Sequence, residues 1–173
     1  MLTVIFECHN QEYELAQSLT SLVAGAVEGL VSDVVILDHG SDDGTMQLAD
    51  AAGCRFYQEW TLADVLGSAR GQWLLLIEPG ARPGRGWMED LAEYMATGSQ
   101  PARFAPSRLH RLPLWRRLFA RKSPLERGLL LPRAKAVGLA GQGASLQSLA
   151  KGLKTRGLAS ELAPAWAAKA ARR

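Results

Sequence analysis

Strand-like and helix-like segments alternate without a break through the first 97 residues, and this alternation constrains the fold more than any other feature of the chain. Leu2 to Phe6 is a short apolar, β-branched run, and beyond Asn10 the residues Leu15, Leu19, Leu22, Val23 and Ala26 recur at helical spacing. Asn10 is placed to cap that helix, and Glu12 and Glu14 fall in its first turn, where the helix dipole favours carboxylates. Val34 to Leu37 predicts a second strand, Met46 to Ala52 a helix, Cys54 to Tyr57 a third strand and Leu62 to Arg70 a further helix. Trp73 to Ile77 does not alternate, so it predicts a strand buried on both faces. A loop containing Pro79, Gly80, Pro83, Gly84 and Gly86 leads into a helix with Trp87, Leu91, Tyr94 and Met95 on one side. Parallel strands need crossover connections, which helices supply. The order therefore predicts an α/β fold: a Rossmann-like, mostly parallel sheet with helices on both faces.

Ligands of such sheets bind beyond the carboxyl ends of the strands. Here those ends are Glu7-Cys8-His9-Asn10, Asp38-His39-Gly40-Ser41 and Glu78-Pro79-Gly80, which hold almost all the polar functionality of this half. Asp38 and Glu78 are expected at adjacent strand ends. With the first strand between the second and fourth, Glu7, His9, Asp38, His39 and Glu78 would project from neighbouring ends, a set suited to zinc or another transition ion. No His-x-x-x-His or Cys-x-x-Cys spacing supports such a cluster. The simpler reading makes the histidines hydrogen-bonded turn residues, Asp42 and Asp43 caps of the next helix, and Cys8 a buried thiol.

The remaining residues change character. Gly98, Ser99, Pro101, Pro106, Pro113 and Pro124 break regular structure, and residues 103–127 carry eight Lys/Arg against the single acid Glu126, interleaved with Phe104, Leu109, Leu112, Leu114, Trp115, Leu118 and Phe119. This amphipathic stretch is expected to meet an anionic membrane surface, unless its apolar residues are core and only the arginines face out. Gly128 to Leu131 predicts a strand. Leu146, Leu149, Ala150 and Leu153 predict a helix closed by Gly157, and the Ala-rich tail from Ala163 is expected to fray or form a loose helix.

Charge follows the same division. Residues 1–100 hold four Lys/Arg and 15 Asp/Glu, residues 101–173 hold 16 and two, and the chain of 173 residues carries a net +3. So large an acidic counterpart argues against a nucleic-acid binder and for a basic surface serving one kind of partner, or for halves that neutralise each other. With 47% hydrophobic and 21% charged residues, the disordered, collagenous and disulfide-stapled classes are excluded. No apolar run approaches the roughly 18–20 residues of a membrane span. With two cysteines and no leader-like start, the chain is expected to be cytoplasmic, with any membrane contact peripheral at the inner face.

His9-Asn10 at the first strand end and Asp38-His39-Gly40-Ser41-Asp42-Asp43-Gly44-Thr45 at the second resemble family 2 glycosyltransferases of the GT-A fold. Their corresponding strands end in Tyr-Asn and in Asp-Asp-Gly-Ser-x-Asp-Gly-Thr. The second pattern matches at Asp38, Gly40, Ser41, Asp43, Gly44 and Thr45. Residues Ala69 to Glu78 are similar to the family's Ala-x-Gly-x-x-x-x-Phe-Leu-Asp strand, and Pro83 to Trp87 to its next helix start. The likeness covers residues 2–95 and continues more faintly through Leu129 to Gly138 and Leu149 to Gly157. It implies binding of a nucleotide sugar, UDP-linked in the simplest case, and transfer of the sugar to an acceptor, with a divalent cation (Mn or Mg) on the diphosphate. Residues 1–97 would then be the nucleotide-binding half, and 98–173 the basic, acceptor-side half, of one domain. By position the resemblance assigns nucleotide contacts to Asp38, His39, Ser41 and Glu78, and a metal contact to Glu78.

Three functional positions depart together from the family pattern. The base-contacting Asp is His39, the metal-binding Asp-x-Asp is Glu78-Pro79-Gly80, and the catalytic carboxylate falls in Gly143-Ala144-Ser145-Leu146, which has none. Transfer requires a cation to neutralise the leaving diphosphate and a base for the acceptor proton. The departures therefore imply weak or lost transfer, with no catalytic residue assigned and Arg82, Arg85 or the basic segment as alternative counter-charges. They also imply nucleotide binding that divalent cations do not strengthen, and that Gly80→Asp would make metal-dependent. The rival readings are a working inverting glycosyltransferase that uses an unconventional base and cation, and a non-catalytic binding or scaffold module whose Arg-rich face meets a membrane surface or an acidic partner.

Overall fold

The computed structural model describes residues 1–110, 123–142 and 145–171. Its first four strands, β1 (Leu2–Cys8), β2 (Val31–Asp38), β3 (Arg55–Tyr57) and β4 (Trp73–Leu76), pair in parallel in the order β3-β2-β1-β4. Helices α1 (Glu12–Val27), α2 (Thr45–Ala51) and α3 (Leu62–Ser68) make the crossovers, as the alternation requires. The chain continues as β5 (Arg82–Pro83), α4 (Trp87–Thr97), β6 (Ala102–Pro106), β7 (Leu129–Pro132), α5 (Arg133–Leu139), a 3-10 turn (Ala140–Gln142), α6 (Leu146–Ala150), β8 (Arg156–Ala163) and α7 (Ala165–Ala171). All eight strands join one sheet, β3-β2-β1-β4-β7-β6-β8-β5, in which β7 runs antiparallel to both β4 and β6, and β5 antiparallel to β8. The sheet thus crosses from the acidic into the basic half of the sequence at the β4–β7 pairing, where Leu74 faces Leu131 and Leu75 faces Leu130.

Apolar side chains pack on both faces of this sheet. Val4, Phe6, Ile36 and Leu75 point to the layer that holds Leu15, Leu22, Trp87 and Leu91, while Ile5, Val35, Leu37, Leu74 and Leu76 point to the layer of Leu62, Val65, Leu66, Ala136 and Leu149. A strand covered on two faces has no solvent side to alternate with, which is why Trp73 to Leu76 reads as an unbroken apolar run.

The second half departs from expectation in three places. Strand β6 lies between Pro101 and Pro106, which sit at its ends, where a missing N–H costs no ladder bond, rather than breaking it. The helix begun at Leu146 stops at Ala150, and Gly157 belongs to β8, whose inward residues Leu158, Ser160 and Leu162 recur with period two. The tail expected to fray or form a loose helix is helical, but as α7 it is docked, with Ala167 and Ala168 buried.

The expected membrane-facing stretch is partly spent inside the fold. The Arg103 guanidinium donates to the carbonyl oxygens of Pro124, Gly128 (3.1 Å) and Ala150 (2.8 Å), Arg127 Nε donates to Phe104 O at 2.7 Å, and Phe104 is fully buried. Residues 111–122, with Trp115 and Phe119, lie outside the described residues, and among the described residues no helix is long and apolar enough to cross a membrane. Arg103→Met is expected to lower stability by about 2 kcal/mol, because three carbonyls lose their donors. A change in the urea midpoint corresponding to less than about 0.5 kcal/mol, the usual effect of a surface substitution, would make Arg103 a surface residue after all.

Candidate functional site

The loops after β1 and β2 are stitched to each other. Asn10 does not cap α1: it stands at φ 52°, its N–H donates to Ser41 Oγ (2.8 Å) and its Oδ1 accepts from the Asp42 N–H (2.8 Å). The α1 N-cap position is Gln11, whose side chain accepts from the His9 N–H at 3.4 Å and does not cap the helix, and the Glu12 N–H is served instead by Asp43 Oδ2 at 3.0 Å. Asp43 also accepts from the Thr45 N–H (3.0 Å) and hydroxyl, while Glu12 Oε2 accepts from the Gly44 N–H at 3.2 Å. The loop after β2 thus serves the first N–H groups of both α1 and α2 through Asp43, and α1 holds the residue before α2 through Glu12. Burial alone would raise the Asp43 pKa, but the Thr45 hydroxyl and the N–H groups of Glu12 and Thr45 hold it below the usual carboxylate range.

Asp38 is fully buried beneath this seam. Its carboxylate accepts from the N–H groups of Gly40 (3.0 Å) and Ser41 (2.8 Å), from the Ser41 hydroxyl and from Gln58 Nε2 (3.4 Å). Burial works against ionisation there, yet these donors outweigh it and keep the Asp38 pKa below its ordinary value. Cys8 packs against the same carboxylate, with Sγ 3.8 Å from Oδ1, and burial, reinforced by the Asp38 charge, pushes its thiol up to about 12. Both Cys8 and Cys54, the latter raised by burial to about 11, are free thiols; neither is expected to react with a thiol reagent at pH 7.5 before the protein unfolds.

A cleft of about 240 Å³ opens above, at the carboxyl ends of β1, β2 and β4. Glu7 stands in its middle: His39 Nε2 donates to Glu7 Oε1 at 2.7 Å, and the Leu146 N–H donates to Glu7 Oε2 at 2.8 Å. The His39 and Trp60 rings pack in a T-shaped pair at a centroid distance of 5.3 Å, and Trp60 Nε1 donates to Asp38 O at 3.4 Å. On the far side, Glu78 Oε1 accepts from Gln147 Nε2 (2.8 Å) and from the Ser123 hydroxyl.

Of the residues singled out in the sequence, His39 and Glu78 line this cleft, as do Glu7 and His9, whereas Asp38 and Ser41 build the loop beneath it. Asp38 and Glu78 are not at adjacent strand ends, because β1 and its Glu7 lie between them. The five-residue zinc set does not converge: among the described residues, no three His, Cys, Asp or Glu side chains are arranged to hold a metal. Gly143 and Ala144 lie outside the described residues, while Ser145 caps α6. Gln147 and Ser123 escaped the sequence reading, since nothing local marks a glutamine and a serine 24 positions apart as partners of Glu78.

Of Glu78-Pro79-Gly80, only Glu78 lines the cleft. Pro79 and Gly80 are buried, and Gly80 lies under α7 with φ +97°. Arg82 donates to Gln17 Oε1 at 3.2 Å, and no Lys or Arg among the described residues lines the cleft. The donor set is therefore too small for a metal held by protein alone. It suits a hard cation that arrives on a phosphate and takes one carboxylate, Glu78, as magnesium commonly does.

No family model matches the chain, and no curated protein matches it. Solved structures do match in fold. Glucosyl-3-phosphoglycerate synthase from Mycobacterium tuberculosis superposes with a TM-score of 0.56 at 22% identity, over 78% of this chain and 57% of that one. The same enzyme with Mn2+, UDP and glucosyl-3-phosphoglycerate gives 0.55 at 22% identity over the same shares, and with Mn2+ and UDP-glucose 0.56 at 21%, over 78% and 56%. The chain has the GT-A-like fold of these glycosyltransferases and spans about 57% of the enzyme's length.

Proposed function

We propose that the cleft binds a nucleotide sugar, UDP-linked in the simplest case, as its complex with a divalent cation, with residues 1–97 holding the nucleotide and 98–173 facing the acceptor. The observation that carries this reading is the placement of Glu7, His39 and Glu78 in one cleft at the carboxyl ends of parallel strands, where sheets of this kind bind ligands. Among the described residues, the two carboxylates have no guanidinium or ammonium group beside them and repel a bare diphosphate. A diphosphate that brings its own counter-ion suits these described residues, a reading opposite to the sequence-based expectation that cations leave binding unchanged. The cation, Mn or Mg, would be held by Glu78 and would neutralise the departing diphosphate. Asp38 and Ser41 contribute by fixing the loop that presents His39, and Gln147 and Ser123 by orienting Glu78.

Calorimetric titration with UDP and UDP-glucose, with manganese and with a chelator, tests the reading. Binding with manganese at least about tenfold tighter than with the chelator is expected, together with a loss of that gain in Glu78→Gln, because one cation ligand becomes a neutral amide. Equal affinity under both conditions would assign the diphosphate to positive side chains instead. Binding without any turnover would favour the scaffold reading.

A further inference from the structure

Within the nucleotide-sugar reading above, on which this inference rests, the strand order gives the nucleotide a direction. The cation and the diphosphate belong at Glu78, and the half that faces the acceptor begins on that side, since β7 pairs with β4. The nucleoside then runs the other way, across the end of β1 to that of β2, where His39 lines the same cleft. Two strand spacings separate the ends of β4 and β2, roughly 10 Å, a span that a ribose bridges between a diphosphate and its base.

The contacts of His39 leave one ring nitrogen for a ligand. An ionised carboxylate only accepts hydrogen bonds, so the 2.7 Å contact with Glu7 Oε1 places the proton on His39 Nε2 and makes Nδ1 of the neutral ring an acceptor. Nδ1 has no partner among the described residues. Glu7 is held in turn by the Leu146 N–H at 2.8 Å, so both its oxygens are engaged. The His39 N–H donates to Cys8 O at 3.0 Å, and the ring packs against Trp60. The Glu7 side chain is 16% exposed and that of His39 is 49% exposed, so the carboxylate is sheltered while the imidazole is open to whatever fills the cleft.

We infer that Glu7, by fixing the proton of His39 on Nε2, makes this cleft select uracil over cytosine. Uracil carries a proton on N3, which Nδ1 accepts. Cytosine has nearly the same shape but a lone pair on N3, and two lone pairs set against each other leave both groups unpaired. Glu7 is therefore a positioning residue: it touches the ring that reads the base and not the base itself. A histidine without Glu7 exchanges its proton between the two nitrogens and accepts from one base or donates to the other, so the selectivity belongs to the pair.

Calorimetry with UDP and with CDP, in manganese and at mildly basic pH so that the ring is neutral, reads the selectivity. Proton–nitrogen correlation spectra of isotope-labelled histidine, with His39 assigned by comparison with His39→Asn, read the ring. The wild type is expected to bind UDP at least about tenfold tighter than CDP, the ratio that one hydrogen bond between half-exposed groups supports. His39 should carry its proton on Nε2, and saturating UDP should shift its Nδ1 resonance. In Glu7→Gln, whose amide both donates and accepts and so tolerates either tautomer, the ratio should fall below about threefold. Should that variant fail to fold, the Nδ1 resonance of the wild type decides alone. An Nδ1 resonance unmoved by bound UDP, equal affinity for the two nucleotides, a preference for CDP, or an undiminished ratio in Glu7→Gln would overturn the role of Glu7 and leave nucleotide binding standing. Binding of neither nucleotide would overturn the nucleotide-sugar reading itself.

Discussion

Gly80→Asp is expected to remove at least about 4 kcal/mol of stability and to create no metal site, although the sequence makes it look like the restoration of a missing ligand. Gly80 holds φ +97°, a region that costs a side-chain-bearing residue about 1–3 kcal/mol. A Cβ there would stand 2.9 Å from the Ala165 carbonyl oxygen and 3.1 Å from the Ala168 Cβ, so α7 would have to lift from the sheet. The Gly80 N–H is already held by Ser18 Oγ at 2.8 Å, and that hydroxyl donates to Ala81 O at 2.8 Å, which fixes the turn from the α1 side. The new carboxylate would enter this buried seam without a cation or a donor. Gly80→Ala separates the contributions: it carries the strain and the clash but not the charge, and should cost about half as much, as read from urea unfolding midpoints. A stable Gly80→Asp protein with manganese-enhanced UDP binding would mean that this turn faces the cleft.

That contrast shows what one-dimensional pattern matching reaches. The α/β architecture was legible because burial on both sheet faces leaves a direct mark, the unbroken run at Trp73 to Leu76, and because helices must separate parallel strands. The strand ends that carry the polar side chains were legible for the same reason, and they put Glu7, His39 and Glu78 into one cleft. What escaped depends on contacts between distant segments. Asn10 looks like a helix cap from its neighbours, but the opposite loop supplies Asp43 for the Glu12 N–H and takes Asn10 for its own use. Gly80 looks like a lost ligand, but α7, some 85 residues later, covers it. Strand β8 escaped because its inward residues are small or few, so the period of two is faint in the sequence and is settled by pairing with β6. The histidine at position 39 looks like a lost carboxylate until Glu7, from the neighbouring strand, is seen to stand against it.

Asp38→Asn is expected to cost about 3 kcal/mol near neutral pH and to lower donor affinity without touching a residue that lines the cleft. The native carboxylate faces only donors: two backbone N–H groups on Oδ2 with Gln58 beyond, and the Ser41 hydroxyl on Oδ1. An asparagine has one oxygen for these partners and must turn its own NH2 toward the rest. The loop that presents His39 then loses its anchor, and Ser41 can no longer serve both Asp38 and the Asn10 N–H as it does now. The pH dependence gives the sharper check. Because the folded-state pKa of Asp38 lies below its ordinary value, about 3.9 in an unfolded chain, its contribution is fully present above that value and is lost as pH falls through the folded-state pKa. The stability gap between the wild type and Asp38→Asn should therefore hold constant from pH 7 to about pH 5 and narrow toward pH 3. The wild type should keep a further acid-sensitive contribution from Asp43, which the substitution leaves in place. Urea titrations at several pH values between 3 and 7 measure the gap directly. A gap of equal size at both ends would mean that the shape of the side chain, and not its charge, holds the loop under the cleft.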